Sequence, residues 1–352
     1  MIPNSFRFQK YIPILTLVLT PILIILDIIL IPFVFLSGLI FYMIRLIDIN
    51  HLENMWITKK ILRWIGVYPV LDHFYDPLLN PKNLRHALNK ERELPGLDLN
   101  VNRQLEILDE FNFNGEFEHF PLNFQGKLEY FYINYSFLPI DAQYLYNTIR
   151  HFKPKKLIEI GCGFSTLVSA KALEKNRREN TNHKNHHICI EPYRHGWLGN
   201  LPIQLIKKPV ESLEKSIFTQ LEVNDILFID SSHMIKPQGD VLFEYLEILP
   251  ILNPGVIVHI HDIYTPKDYP EKCIVNQVKF WNEQYLLEAF LSSNPDFEII
   301  GALKYLKDHH FQELASKCPA LNDDRIIKKS EEKIALSSLD FLETSSFWIR
   351  KK

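Results

Sequence analysis

From Lys155 to the end of the chain, apolar runs of strand length alternate with stretches of helical periodicity. That alternation predicts a parallel sheet covered by helices on both faces. KKLIEIG is the first strand, with STLVSAKALEK as the helix behind it. HHICIEP is the second strand and LPIQLIKK a shorter third. NDILFID, the fourth, is followed by the helix DVLFEYLEILPIL, and GVIVHIHDI, the fifth, by the helix QVKFWNEQYLLEAFLSS. FEIIGALKYL supplies a sixth strand and SSFWIRK the last, with the polar stretch DHHFQELASKCPALNDDRIIKKSEEK between them as a helical surface insertion. The helix DAQYLYNTIRHF, with Asp141 as its N-cap, leads into the first strand. The expected fold is α/β: a doubly wound, Rossmann-like seven-stranded sheet over residues 141–352, its ligand crevice at the C-terminal ends of the strands.

The first 50 residues obey another rule. From Tyr11 to Ile47 nearly every residue is apolar, interrupted by Thr16, Thr20, Asp27, Ser37, Arg45 and the prolines Pro13, Pro21 and Pro32. Crossing a bilayer as a helix takes ~20 apolar residues. As one helix the run would extend roughly 55 Å, longer than a ~30 Å hydrocarbon core. Residues 1–50 therefore read as a transmembrane anchor in contact with membrane lipid, either one kinked helix or a hairpin turning near Asp27 to Pro32. Arg7 and Lys10 precede the run, and Arg45, Lys59, Lys60 and Arg63 follow it, which orients the C-terminal domain to the cytoplasm. Residues 51–140 form an amphipathic, aromatic-rich connector and substrate cap. Its segment HLENMWITKKILRWIGVYPVL has Trp56, Trp64 and Tyr68 beside basic residues, suiting either a membrane interface or packing on the domain.

Composition narrows the partners. A formal charge of −3 offers no general attraction for nucleic acid. Cys162, Cys189, Cys273 and Cys318 are scattered with no CxxC pair, which fits a reducing compartment and argues against a disulfide framework or a cysteine-ligated zinc.

The cofactor is set by IEIGCGFST, residues 158–166, where the first strand turns into its helix. Gly161 and Gly163 permit a tight turn and close approach of backbone to ligand. A dinucleotide fold would carry G-x-G-x-x-G; here the third small residue is Ser165, and Glu159 precedes Gly161 by two, which suits a ligand bearing an ammonium group. This E-x-G-x-G-x-S run resembles the first motif of class I S-adenosylmethionine-dependent methyltransferases, with Ser165 in place of the usual glycine. The resemblance covers roughly Asp141 to Lys351. It implies S-adenosylmethionine as cofactor, with Glu159, Gly161, Gly163 and Ser165 around its methionine part. It also implies that Glu191, ending ICIEPY, binds both ribose hydroxyls, as a carboxylate can by accepting from two neighbouring donors.

The fourth and fifth strands end in FIDSSH and HIHDIYTPKDYP. These endings bring Asp230, His233, His261 and Asp262 to the crevice edge, with Asp230 beside the cofactor. Paired FID-x-x-H and HD endings resemble a methyltransferase subgroup from saccharide and natural-product pathways. In the wider resemblance to catechol O-methyltransferase, the equivalent strand ends supply oxygen ligands to magnesium. Two mechanisms follow for methyl transfer to a hydroxyl. His261 or His233 acts as general base with Asp262 orienting the imidazole, or Asp230 and Asp262 hold a divalent cation, Mg or Mn, that acidifies the acceptor hydroxyl. His261 stands where that enzyme has a carboxylate, which favours the histidine base over magnesium. His259 reads as a buried, hydrogen-bonded histidine, His186 and His187 as structural or solvated, and Glu283, Gln284 and Tyr285 as either lining the acceptor pocket or packing as a helix face.

The expected function is a membrane-anchored O-methyltransferase with a saccharide, lipid-linked or small-molecule acceptor. The alternatives are a non-catalytic cofactor-binding scaffold in a membrane assembly and a metal-dependent, hydroxylase-like relative on the same fold. N-methylation of nucleic acid is disfavoured, because no Asn/Asp-Pro-Pro-Tyr motif follows the fourth strand.

Overall fold

The structure, a computed structural model, describes residues 4–47, 55–73, 75–193, 196–331 and 340–352. Residues 48–50 at the end of the expected anchor, residues 51–54 at the start of the amphipathic segment, and the last two residues of the expected surface insertion lie outside the described ones.

The chain divides into two compact units, one of Tyr11–Ala87 with Glu271–Phe280, the other of Met1–Lys10, Leu88–Pro270 and Trp281–Lys352. Helix α1 (Asn4–Ile47), which lies in the first from Tyr11 onward, is a single helix of 44 residues that passes through Pro21 and Pro32 without a break. Of the two anchor geometries read from the sequence, the backbone takes the single helix. Its segment Leu19–Ile44 is 26 residues long, has no buried residue and is long and apolar enough to cross a membrane. Helix α2 (Trp56–Ile65) ends at Gly66, whose left-handed φ of 81° lets its N–H donate back to the Arg63 carbonyl at 3.2 Å.

The second unit holds α3 (Val101–Glu110), α4 (Pro139–Phe152), β1 (Lys156–Ile160), α5 (Phe164–Glu179), β2 (His186–Ile190), β3 (Gln204–Ile206), α6 (Ser216–Thr219) and β4 (Ile226–Ile229). It continues through α7 (Asp240–Phe243), extended by wider and tighter turns to Ile251, then β5 (Ile257–Ile260) and α8 (Glu283–Leu291). The chain finishes with β6 (Phe297–Ala302), α9 (Leu303–His309), α10 (Phe311–Lys317), α11 (Asp324–Glu331) and β7 (Phe347–Lys351). The seven strands form one sheet in the order β3-β2-β1-β4-β5-β7-β6, parallel except for β7, which runs antiparallel to both β5 and β6. The order reverses between β1 and β4, so the crevice opens above their C-terminal ends.

Burial on both faces explains why these strands are continuous Ile, Leu and Val runs. Period-two alternation sends Leu157, Ile226, Phe228, Ile257 and Trp348 into one core with α4 and α5. Ile158, Ile160, Leu227, Ile229, Val258 and Ile260 go into the other, with Val241 and Leu287 of the opposite helices. Glu159, His259 and His261 share the first face by the same alternation.

Residues 88–140 of the expected connector share a compact unit with the sheet, and three expectations of local structure need correction. Ile107, Phe111, Phe117, Phe120, Tyr130 and Phe131 lie in its first core, and buried Arg150 of α4 pairs with Glu116 at 3.0 Å and Glu179 at 2.7 Å. Asp141 is not an N-cap, because α4 starts two residues earlier at Pro139. Asp141 is buried and accepts from the Thr344 hydroxyl and from the Ser346 N–H at 3.1 Å, tying α4 to the start of β7. The sixth strand stops at Ala302, where β7 runs out of partners, and KYL becomes part of α9. The helix expected over 277–293 starts only at Glu283, because the N–H groups of Asn282 and Glu283 are bonded to the His233 carbonyl at 3.0 and 3.3 Å.

Candidate active site

The cofactor loop is shaped from both sides. Gly161 has φ +77°, and a Cβ placed there would lie 1.8 Å from the Asp230 carbonyl oxygen, so only glycine fits. Its N–H donates to the Ile190 carbonyl at 3.0 Å, while the Asp230 N–H donates to that of Ile160 at 2.9 Å. The loop is thus laced across the ends of β1, β2 and β4. Gly163 differs: its backbone is extended and a Cβ there would meet nothing within 4 Å. No contact among the described residues demands a glycine at 163, so the requirement would have to come from a ligand.

Glu159 does not reach toward the crevice. It is fully buried, and its Oε1 accepts from the hydroxyls of Ser165 at 2.6 Å and Thr166 at 2.9 Å, while its Oε2 faces His187 Nε2 at 2.8 Å. Thr166 Oγ1 in turn accepts from the Gly163 N–H at 3.0 Å. Glu159 and Ser165, both expected at the cofactor, hold the loop from beneath. The pair His186–His187 is split by the pleat, the first exposed and the second buried against Glu159.

Glu191 stands at the mouth, its carboxylate accepting from the Tyr193 N–H at 2.6 Å and the Cys162 N–H at 3.3 Å. Those bonds fix it on the wall of a cleft that Gly161, Pro192, Val210, Asp230 and Ser232 also line. A carboxylate has about four acceptor sites and can accept from two neighbouring hydroxyls at once.

On the far side of Asp230 lies a cluster of charge. His233 Nε2 is 3.3 Å from Asp230 Oδ1 and 3.4 Å from Asp262 Oδ2, and its Nδ1 is 2.8 Å from Glu283 Oε2. Glu283, wholly buried, also accepts from the Tyr245 hydroxyl at 3.1 Å. Burial disfavours charge on His233, but its hydrogen bonds to Asp230 and Glu283 and the charge of Asp262 outweigh it and raise its pKa well above the ordinary range. Held by Asp230, Asp262 and Glu283, His233 is favoured in its protonated form, which makes it the weaker of the two candidate bases. His261 is buried, with Phe137 on one side at 5.2 Å and His259 on the other at 5.5 Å, and its Nδ1 has no partner among the described residues. Burial lowers its pKa, and Asp230, Asp262 and Asp141 more than offset that, leaving it raised. His259 is stacked on Phe228 at 4.0 Å and bonded to Ser346 Oγ at 2.9 Å; burial drives its pKa well down and keeps it neutral. It is the buried, bonded histidine expected.

Backbone strain marks the same place. His233 (φ +59°) and Asp262 (φ +55°) both adopt left-handed conformations, which non-glycine residues take only where surroundings enforce them. The two serines of FIDSSH supply part of that enforcement. Ser232 donates from N–H and hydroxyl to Asp240 at 2.9 and 2.7 Å, and the Ser231 hydroxyl donates to buried Glu244 at 3.0 Å. Sequence reasoning missed Glu283 as the partner of His233, since 50 residues separate them. It also missed the serines, whose only signal was their place between Asp230 and His233. Gln284 is buried and bonded to the Tyr264 N–H at 2.6 Å, so it packs rather than faces an acceptor.

Residues 158–263 match the family model described as a methyltransferase domain. A protein of Archaeoglobus fulgidus, described only as uncharacterized, is 32% identical over 181 residues, covering 48% of this chain and 80% of the relative. Two solved structures are similar over a little more than half of the chain. The O-methyltransferase from Bacillus cereus in complex with SAH is 13% identical with a TM-score of 0.32, covering 56% of this chain and 82% of that one. The O-methyltransferase TomG from Streptomyces achromogenes, involved in tomaymycin synthesis and solved with SAM, is 15% identical with a TM-score of 0.30, covering 59% and 82%. Scores this low carry no weight. With its sheet order, its glycine loop and the family match, the chain belongs to the class I S-adenosylmethionine-dependent methyltransferases.

Proposed function

We propose that this chain is a membrane-anchored methyltransferase that binds S-adenosylmethionine and methylates a hydroxyl of a saccharide, lipid-linked or small-molecule acceptor. One observation carries the reading. A loop with an open glycine and a fixed acid, Glu191, adjoins a strained cluster of two histidines and two aspartates across the single residue Asp230. A non-catalytic scaffold has no use for that strain.

The cofactor supplies an electrophilic methyl group on a sulfonium centre. Glu191 would accept from its ribose hydroxyls, and the backbone of Gly161 to Gly163 would hold its methionine part. The acceptor oxygen must lose its proton as the methyl group arrives, and His261, made more basic by three carboxylates, takes it. Asp262 steadies the resulting imidazolium. His233 holds Asp230 and Asp262 in place.

The pH dependence follows. Below its raised pKa His261 is protonated and cannot accept a proton, so the rate of methyl transfer should climb as pH rises through a value above the ordinary histidine range. His261→Gln should lower the rate by roughly 10²–10⁴-fold and remove that rise. A pH profile unchanged in the variant would sink the assignment.

One geometric observation favours a metal-assisted version. Asp230, His233 and Asp262 each bring a ligand atom within 4.8 Å of the other two. Glu283 on His233 Nδ1 is the outer partner a metal-bound imidazole needs. The set fits a nitrogen-tolerant divalent ion such as manganese, which would acidify an acceptor hydroxyl. Turnover lost on dialysis against chelator and restored by manganese would select this version over the free base.

Membrane attachment rests on Leu19–Ile44 and on α2, whose face of Ile57, Ile61, Trp64 and Ile65 is exposed, Trp64 to 86%, with Lys60 at its flank and Lys59 and Arg63 on the opposite side. Such a face suits the boundary between anionic headgroups and acyl chains. The chain should stay with membranes through an alkaline carbonate wash, and release into the supernatant would refute a spanning anchor.

A further inference from the structure

β7 alone runs against the other strands, and its first residue, Phe347, pairs with Ile260 at the end of β5. The residues that reach the crevice edge from β7 are therefore those before the strand, Thr344, Ser345 and Ser346, all buried. Asp141 of α4 holds them there: it accepts from the Thr344 hydroxyl and from the N–H groups of Ser345 at 3.3 Å and Ser346 at 3.1 Å. The three hydroxyls then part company. That of Thr344 goes to Asp141, and that of Ser346 meets His259 Nε2 at 2.9 Å. The Ser345 hydroxyl donates to Asp262 Oδ1 at 3.2 Å, and the Ser345 carbonyl accepts from the Ile263 N–H at 2.9 Å. Asp262 thus stands between two backbone ties, His261 N–H to the Ile229 carbonyl and Ile263 N–H to Ser345, where its left-handed backbone is held.

We propose that Ser345 is a positioning residue of the methyl-transfer centre, its hydroxyl fixing the orientation of the Asp262 carboxylate. The proposal rests on the methyltransferase reading for what Asp262 does there. A carboxylate turns about a broad, roughly two-fold torsion, so nothing intrinsic decides which way its oxygens point. A donor on one oxygen decides it. With Oδ1 held by Ser345, and by the Tyr264 hydroxyl at the longer distance of 3.4 Å, Oδ2 is the oxygen left facing His233 Nε2 at 3.4 Å. At 3.2 Å the Ser345 bond lies beyond the usual range for a hydroxyl donor, so it selects an orientation more than it adds strength. Both versions of the reaction use the oxygen turned toward the histidines. In one Asp262 steadies an imidazolium, and in the other it would hold a cation, with Ser345 as the outer partner that orients the ligand.

The sequence carries no local sign of this role, because 83 residues separate Ser345 from Asp262. Insertion of an antiparallel strand beside β5 is what joins them. The end of the chain therefore contributes to the reaction edge as well as to the sheet.

The test is the magnetic resonance signature of His233 in the full-length chain in detergent, labelled with nitrogen-15 in its histidines. At about pH 6 a histidine of ordinary or raised pKa carries mostly both ring protons. The Nε2 proton faces Asp230 and Asp262, and the Nδ1 proton faces Glu283. Ser345→Ala should move the Nε2–H signal and leave the Nδ1–H signal in place, and Asp262→Asn should move the same signal. Ser345→Thr, which keeps the hydroxyl, should restore the wild-type position. Ser346→Ala, which removes the hydroxyl at His259, should move neither. An Nε2–H signal at its wild-type position in Ser345→Ala overturns the proposal. So do ring signals that move together, as a general loosening would make them, or an equal move in Ser346→Ala. If the alanine variant fails to fold, Ser345→Cys, close in size but only a weak donor, carries the same expectation. None of these measurements involves S-adenosylmethionine, so their outcome is separable from that of the proposed function.

Discussion

Gly161→Ala is expected to abolish S-adenosylmethionine binding and to destabilise the fold, whereas Gly163→Ala should lose binding alone. At 161 the backbone is left-handed, which costs about 1–2 kcal/mol for a residue with a Cβ. The added methyl would also stand 1.8 Å from the Asp230 carbonyl oxygen, a backbone atom that no rotamer change can move aside. Forcing β1 and β4 apart adds a further ~1–3 kcal/mol. At 163 neither term applies, since the backbone is extended and the space is open. Thermal unfolding and calorimetric titration of the two variants separate the effects. Wild-type stability and binding in Gly161→Ala would mean the loop is not built as described, and wild-type binding in Gly163→Ala would remove the ligand from that opening.

The second large effect is expected at Glu283. Glu283→Ala strips the partner from His233 Nδ1 and the acceptor from the Tyr245 hydroxyl, both buried. Breaking a buried charge pair in this way costs about 3–5 kcal/mol, which in a domain of this size lowers the unfolding temperature by roughly 10 °C. The pH dependence has a definite sign. His233 has a raised pKa in the folded state, so the stability it contributes is fully present below the ordinary histidine range and is lost as pH rises through the raised value. Glu283→Gln keeps an acceptor but removes the charge, so it should lose less than the alanine and flatten the alkaline decline. Unfolding curves across pH check both. Alanine and wild type with equal stability at neutral pH would show that Glu283 does not hold His233.

The sheet was largely legible because each core strand is a short apolar run bounded by turn residues. Strands expected at KKLIEIG, HHICIEP, NDILFID, GVIVHIHDI and SSFWIRK all form where the pattern put them. Errors arose where tertiary contacts overrode local pattern. Pro139, a residue favoured in the first turn of a helix, was the available sign that α4 begins before Asp141. Nothing local announced that the His233 carbonyl would delay α8 until Glu283. In the site, the glycines and the strand ends were readable because motif spacing records them. The inward turn of Glu159 was harder to read: in a strand buried on both faces, alternation tells which side a residue takes but not which side holds the ligand. The Glu283–His233 pair and the Ser345–Asp262 bond are products of topology, joined only when distant segments become neighbours.

The most direct test is calorimetric titration of S-adenosylmethionine into the full-length chain in detergent, alongside Glu191→Ala. Saturable binding at one site per chain in the wild type, lost in Glu191→Ala while the variant stays folded, is the predicted result. No binding by a folded wild-type chain, or equal binding by Glu191→Ala, would contradict the assignment of this cleft to the cofactor.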